Sequence, residues 1–229
     1  MKTKAKRNEV SDISSRLYHV QNGDLVAMLK RLVAEGERHR QRFMRQIAIV
    51  REQPAKDRMP KFYGAGEDGG VPYFIMEDVT PIPEHLPLTE AVAVVRDVAE
   101  ACLMLRSHRD EYFHCGIHWE HIGRRSDGRA ILLAFGRAFT KVQALVAPST
   151  IDRPYYLAPE ALAEGWITEK AEIYALGRLL ADLLDGKVPS DVAPVIADAT
   201  AERPEERIGS LPELIVRLNN LSAIARVGC

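Results

Sequence analysis

Long apolar runs are missing from this chain of 229 residues. None approaches the roughly eighteen consecutive apolar residues that a membrane-crossing helix requires, and the first residues lack the apolar core of a secretion signal. A soluble, cytoplasmic chain with no membrane partner is the expectation. Cysteine is scarce as well: Cys102, Cys115 and Cys229 are odd in number and follow no pairing pattern, which excludes a disulfide framework and suits a reducing compartment. Charge of one sign is also lacking. A formal net charge of -1 and a pI near 6.7 exclude a surface built mainly for nucleic acid. The basic run Lys2, Lys4, Lys6 and Arg7 is local and reads as a flexible, solvated tail over residues 1–10. There is no internal repeat and no low-complexity block. With 46% hydrophobic and 28% charged residues, the chain can bury a sizeable core in one bilobal unit.

What is present begins with a stretch from His114 to Gly136, where an apolar run, a charged loop, an Asp127-Gly128 turn and a second apolar run make a β-hairpin. Upstream, Leu17 to Val20 and Leu25 to Leu29 flank an Asn22-Gly23 turn, a second hairpin signal. Residues 31–53 have helical composition with Phe43, Ile47 and Val50 on one stripe, ended by Pro54. A third hairpin runs from Lys61-Phe62-Tyr63-Gly64 through Asp68-Gly69-Gly70 to Pro72–Val79, and three prolines between Thr80 and Pro87 mark a crossing between two parts. From Thr89, a candidate N-cap, to Leu105 the apolar positions follow a period near 3.6. Leu176, Leu179, Leu180, Leu183 and Leu184 make the buried face of a further helix, with Gly186 at its end.

The order and spacing of these pieces resemble the protein kinases, from about Arg16 to Leu218. His114-Cys115-Gly116-Ile117-His118-Trp119-Glu120-His121 stands where the family has His-Arg-Asp-x-Lys-x-x-Asn, and Ala134-Phe135-Gly136 where it has Asp-Phe-Gly. Ala158-Pro159-Glu160 matches the Ala-Pro-Glu signature, Glu172–Gly177 resembles Asp-x-Tyr-Ser-Leu-Gly, and Arg203–Arg207 resembles Asp-Pro-Glu-x-Arg. The resemblance implies an α+β fold of two lobes, trimmed at both ends. A small β-rich N-lobe with one helix would occupy 11–80, and a larger, mainly helical C-lobe 81–229. It places Lys30 at the phosphate-contacting lysine, Gln46 at the glutamate that pairs with it, and the backbone of Glu77 and Val79 at the adenine. His114 and Phe135 would form an apolar column with Val50, and Glu160 would pair with a buried Arg207.

The same resemblance marks what is missing. Gly116 replaces the catalytic base and Ala134 the metal-binding aspartate, while His118 and His121 replace the lysine and asparagine of the loop. Gly123 replaces the leucine beneath adenine, and Ser11–Arg16 supplies no glycine to close over phosphate. Because phosphoryl transfer rests on positioning and electrostatics, the expectation is a pseudokinase. It would need no cofactor, with ATP binding without magnesium left open, and would serve as a scaffold for a protein partner such as an active kinase or a kinase substrate. The 137–154 segment, with Thr140, Ser149 and Thr150 as phosphate acceptors, is one surface it would present.

Two other readings stand beside this one. Lys30 and a protonated His118 could support residual transfer, with Glu120 or Asp127 as a metal ligand. His114, Cys115, His118 and His121 have ligand types suited to zinc. A second His-Arg-Asp, at His108-Arg109-Asp110, is followed by Tyr112 and Cys115 at the wrong places and reads as a charged turn.

Overall fold

The computed structural model describes residues 14–140, 156–165 and 167–227. The expected tail, residues 11–13 of the stretch without glycine, Ser149, Thr150 and nearly all of 137–154 beyond Thr140 lie outside them.

Strands β1 (Ser15–Asn22) and β2 (Leu25–Leu32) form the first hairpin. Asn22 is still a strand residue, paired with Leu25, so the tight turn is Gly23-Asp24, and Gly23 has the positive φ of 61° that glycine tolerates best. Because β2 continues to Leu32, helix α1 starts at Glu37, later than its composition suggested, and ends at Glu52. Gln53, in the left-handed region, closes it by donating its N–H to Ile49 O, ahead of Pro54. Its buried side, Phe43, Gln46, Ile47, Ile49 and Val50, faces the sheet, where the Phe43 and Phe74 rings stand 5.6 Å apart. Strands β3 (Phe62–Asp68) and β4 (Val71–Glu77) complete an antiparallel sheet of order β1-β2-β4-β3.

The chain then crosses over through β5 (Thr80–Pro81), which pairs with β7 (Ile122–Arg124) in a small sheet closed by β8 (Ala130–Leu132). Between them lie α2 (Leu88–Ser107) and β6 (Tyr112–Phe113), the latter paired with β9 (Phe139–Thr140). Thr89 is not the cap of α2: it lies inside the helix, because the turn begins at Pro87, whose carbonyl accepts from Glu90 and Ala91 N–H. Helices α3 (Pro159–Glu164), α4 (Glu169–Leu183), α5 (Ala193–Ala199) and α6 (Leu211–Val227) follow. Thr168 caps α4 through its side chain, which accepts from Ala171 N. Gly177 lets α4 approach α5, since a Cβ there would come 2.7 Å from Ala199 and Thr200.

This is the α+β arrangement that the resemblance implied. One apolar cluster runs from Met28 and Phe74 in the sheet through Val50, Phe135 and Leu105 to Leu176 and Leu218. No helix among the described residues is long and apolar enough to cross a membrane.

Candidate functional site

The residues that the resemblance assigns to a site lie on β2 and α1, on the side of the first sheet, and on the loops around β7 and β8. Lys30 sits in the middle of β2, opposite Leu17 and Phe74, and is 5% exposed. Its Nζ donates to Gln46 Oε1 at 3.2 Å. The position-for-position partner is therefore in place, but the contact is a hydrogen bond to a neutral amide and not an ion pair.

His114 is fully buried. Its backbone N–H donates to Glu172 Oε1 at 2.8 Å, and its ring Nε2 donates to Leu133 O at 2.7 Å. The ring stands edge-on to Phe135, centroids 5.1 Å apart, and Val50 belongs to the same cluster as Phe135. Burial lowers the His114 pKa to about 4. Cys115 follows with φ 56°, and Gly116 and Ile117 line a pocket under the loop.

Among the described residues, His114, Cys115, His118 and His121 are not a group of three or more whose ligand atoms all lie within 4.8 Å of one another. His121 is 8% exposed and its Nδ1 donates to Gly116 O at 2.6 Å; burial brings its pKa to about 3. His118 accepts from Glu120 N and lies 3.5 Å from the Glu120 carboxylate, with its ring 5.0 Å from that of Tyr156. The trio of ligand types whose donor atoms lie within 4.8 Å of one another is instead Glu52, His108 and Asp110, among the described residues. Those carboxylates are already engaged, by Arg109 and by the Tyr112 hydroxyl at 3.0 and 3.3 Å. The second His-Arg-Asp thus ties the end of α1 to the loop after α2.

At the two positions where the resemblance placed carboxylates, Gly116 and Ala134, the side chains are a hydrogen and a methyl. Gly116 has room: a Cβ there would meet Arg137 Cδ at 3.5 Å and His121 Nδ1 at 3.8 Å, ordinary contacts. Ala134 holds φ 63° and ψ 46°, a left-handed conformation that alanine rarely adopts.

Twenty-eight per cent of the aligned positions are identical between this chain and the serine/threonine-protein kinase PrkC of Bacillus subtilis, over 63% of this chain and 24% of that protein. PknL, a serine/threonine-protein kinase of Mycobacterium tuberculosis, is 28% identical over 66% of this chain and 41% of its own length. Another serine/threonine-protein kinase, cst-1 of Caenorhabditis briggsae, is 27% identical over 82% of this chain and 41% of its length. The chain has a protein kinase-like fold. It spans about a quarter to two fifths of the length of these kinases, and no protein-family model matches it. Together the likenesses support a protein kinase-like superfamily.

Glu77 and Val79, the positions that the resemblance assigned to an adenine, lie at and just after the end of β4, and both side chains are in use. The Glu77 carboxylate accepts two bonds of 2.8 Å from Arg125 Nε and Nη2, and one from Lys61 N. Arg125 also donates to Asp57 O and Met59 O, clamping the β7–β8 turn to the smaller, β-rich lobe. Val79 is 4% exposed, and a Cβ at Gly123 would come 2.5 Å from its Cγ2. Val79 thus takes the space that a side chain at position 123 would need. Arg207 donates to both carboxylate oxygens of Glu160, at 2.7 and 2.8 Å, and to Ala201, Glu202 and Lys170 carbonyls. Sequence reasoning missed Arg125: its partner is distant in the chain, and only the tight turn that carries it hinted at a role.

Proposed function

We propose that this chain is a pseudokinase module, a protein kinase-like framework that transfers no phosphoryl group and works by binding a protein partner, an active kinase or one of its substrates. The observation that carries the reading is the pair Gly116 and Ala134. Each occupies the backbone position of a reactive carboxylate, and neither has an atom that could accept a proton or hold a divalent cation. Supporting it, Lys30 is matched by a neutral amide, His121 spends Nδ1 on Gly116 O, and Val79 covers Gly123 where adenine would need a floor. The framework contacts are the ones retained: His114 with Phe135, and Glu160 with Arg207.

The test is a thermal-denaturation titration with ATP, with and without magnesium or manganese, run beside an assay for transfer of the γ-phosphoryl group. A ligand that binds the native chain raises its Tm according to RT ln(1 + [L]/Kd). The expected outcome is no metal-dependent rise and no label on the chain or on an added protein substrate. Metal-dependent stabilisation together with label that disappears in Lys30→Met would overturn the reading. A rise with ATP alone leaves a nucleotide-binding pseudokinase.

A further inference from the structure

Where the end of α1 meets the loop after α2, Glu52, His108 and Asp110 each bring a ligand atom within 4.8 Å of the others. His108 Nδ1 stands 3.6 Å from Asp110 Oδ2. The same nitrogen accepts a long bond of 3.4 Å from Asp110 N, so it carries a lone pair and not a proton. Its ring stacks on Tyr112, centroids 5.5 Å apart and planes 23° from parallel. The Tyr112 hydroxyl, 3.0 Å from Glu52 Oε2 and 3.3 Å from Asp110 Oδ2, draws both carboxylates toward one point. The cation already beside them is Arg109, which reaches Glu52 at 2.9 Å and Asp110 at 3.4 Å. Its side chain is 76% exposed. An ion pair so exposed is weak, because water solvates both partners as well, and the guanidinium can swing into solvent without being stranded.

We propose that Glu52, His108 and Asp110 bind a divalent transition-metal ion of the zinc type, which displaces Arg109 and fastens the end of α1 to the loop after α2. Zinc holds imidazole nitrogen and carboxylate oxygen at about 2.0–2.2 Å in a tetrahedron, which sets neighbouring ligand atoms about 3.4 Å apart. The pair at 3.6 Å is already near that spacing, and rotation of the exposed Glu52 side chain closes the rest. One imidazole with two carboxylates suits zinc and the metals beside it, whereas magnesium and calcium take oxygen ligands. Three protein ligands leave a fourth position for water. The site has no part in phosphoryl transfer, so it stands or falls apart from the pseudokinase reading.

Zinc chloride, titrated calorimetrically into the full chain without nucleotide, is the test. The expected result is a single ion bound per chain with a Kd of about 100 μM or tighter, and no saturable heat from magnesium chloride over the same range. His108→Ala and Glu52→Gln weaken binding by about tenfold or more. Arg109→Ala tightens it, because the ion no longer has to displace a guanidinium. His85→Ala, which removes an imidazole beside Asp185, leaves the Kd unchanged. No saturable binding up to ~1 mM, magnesium bound as tightly as zinc, or a Kd unmoved in His108→Ala overturns the proposal. So does loss of binding in His118→Ala, which would put the ion in the loop from His114 to His121. The Arg109 side chain lies at the surface, so Arg109→Ala does not threaten the fold, and its failure to bind zinc more tightly counts against the site whatever the other variants do.

Discussion

At Ala134 the backbone holds a left-handed conformation that a residue with a Cβ rarely adopts. Left-handed φ costs an L-residue about 1 kcal/mol or more, and the φ of 63° there is held by the 3₁₀ turn Phe135–Arg137 that follows. Glycine meets no such penalty, so Ala134→Gly should raise stability by about 1 kcal/mol, read as a rise of about 2–4 °C in Tm for a domain of this size. An unchanged or lower Tm would mean that the conformation is not strained. Glu172 sets a different residue-scale expectation. Its folded pKa of about 7 stands above the ordinary 4.5, so the stability its protonated form contributes is full below about pH 4.5 and lost as pH rises through 7. The groups around it include Arg106, which lowers the pKa, and Glu169, which raises it, together with Cys102 and Cys115, thiols that burial pushes up. His114 and His121 act in the opposite sense: with pKa values of about 4 and 3, they remove stability as pH falls below 6.5. Urea denaturation of the chain and of Glu172→Gln at pH 5 and pH 8 isolates the first effect. Relative to the unaltered chain, the variant should gain up to about 3 kcal/mol at pH 8 over pH 5; a pH-independent difference would contradict the assignment.

Single elements carry the parts of this molecule that were legible in the sequence and the parts that were not. The hairpin β1–β2, the stripe of α1 and the buried face of α4 are local patterns, set by residues a few positions apart, and they were readable from period and turn chemistry alone. The cap of α2 was not: Thr89 has the right side chain, but the direction in which Pro87 delivers the chain decides where the first turn closes. Gln46 facing Lys30 could be read because two regular elements place them. The Arg125 clamp could not, since Glu77 at the end of β4 and the stretch of Asp57 and Met59 reach it from two separate segments far away in the chain. That clamp yields an element-scale prediction. Glu77 and Arg125 have side chains only 12% and 11% exposed, and removing one partner of such a pair leaves the other charge buried, at about 3–5 kcal/mol. Arg125→Ala should therefore lower the urea midpoint sharply, whereas Arg125→Lys, which keeps the charge but not the fork, should recover only part of it. A loss under 1 kcal/mol in the alanine variant would show that the two lobes are joined elsewhere.

Across the whole molecule, the question is whether the two lobes unfold together. The apolar cluster that contains Met28 and Phe74 of the sheet also contains Leu105, Leu176 and Leu218 of the helices, and a continuous core of this kind favours one cooperative transition. Arg207 lies at the far end from the sheet, with a fully buried guanidinium bound to Glu160 and to three carbonyls. Replacing it with alanine leaves the Glu160 carboxylate, itself mostly buried, without its cation, again a loss of about 3–5 kcal/mol. If folding is cooperative, that loss must be felt where no contact has changed. Native-state amide hydrogen exchange in Arg207→Ala reads this directly, because the slowest amides exchange only through global opening. Those of β2 and β4 should lose as much protection as those of α4. Retention of full protection in the sheet, with loss confined to α3, α4 and α6, would instead mean that the helical lobe opens by itself and that the clamp at Arg125 does not couple it to the rest.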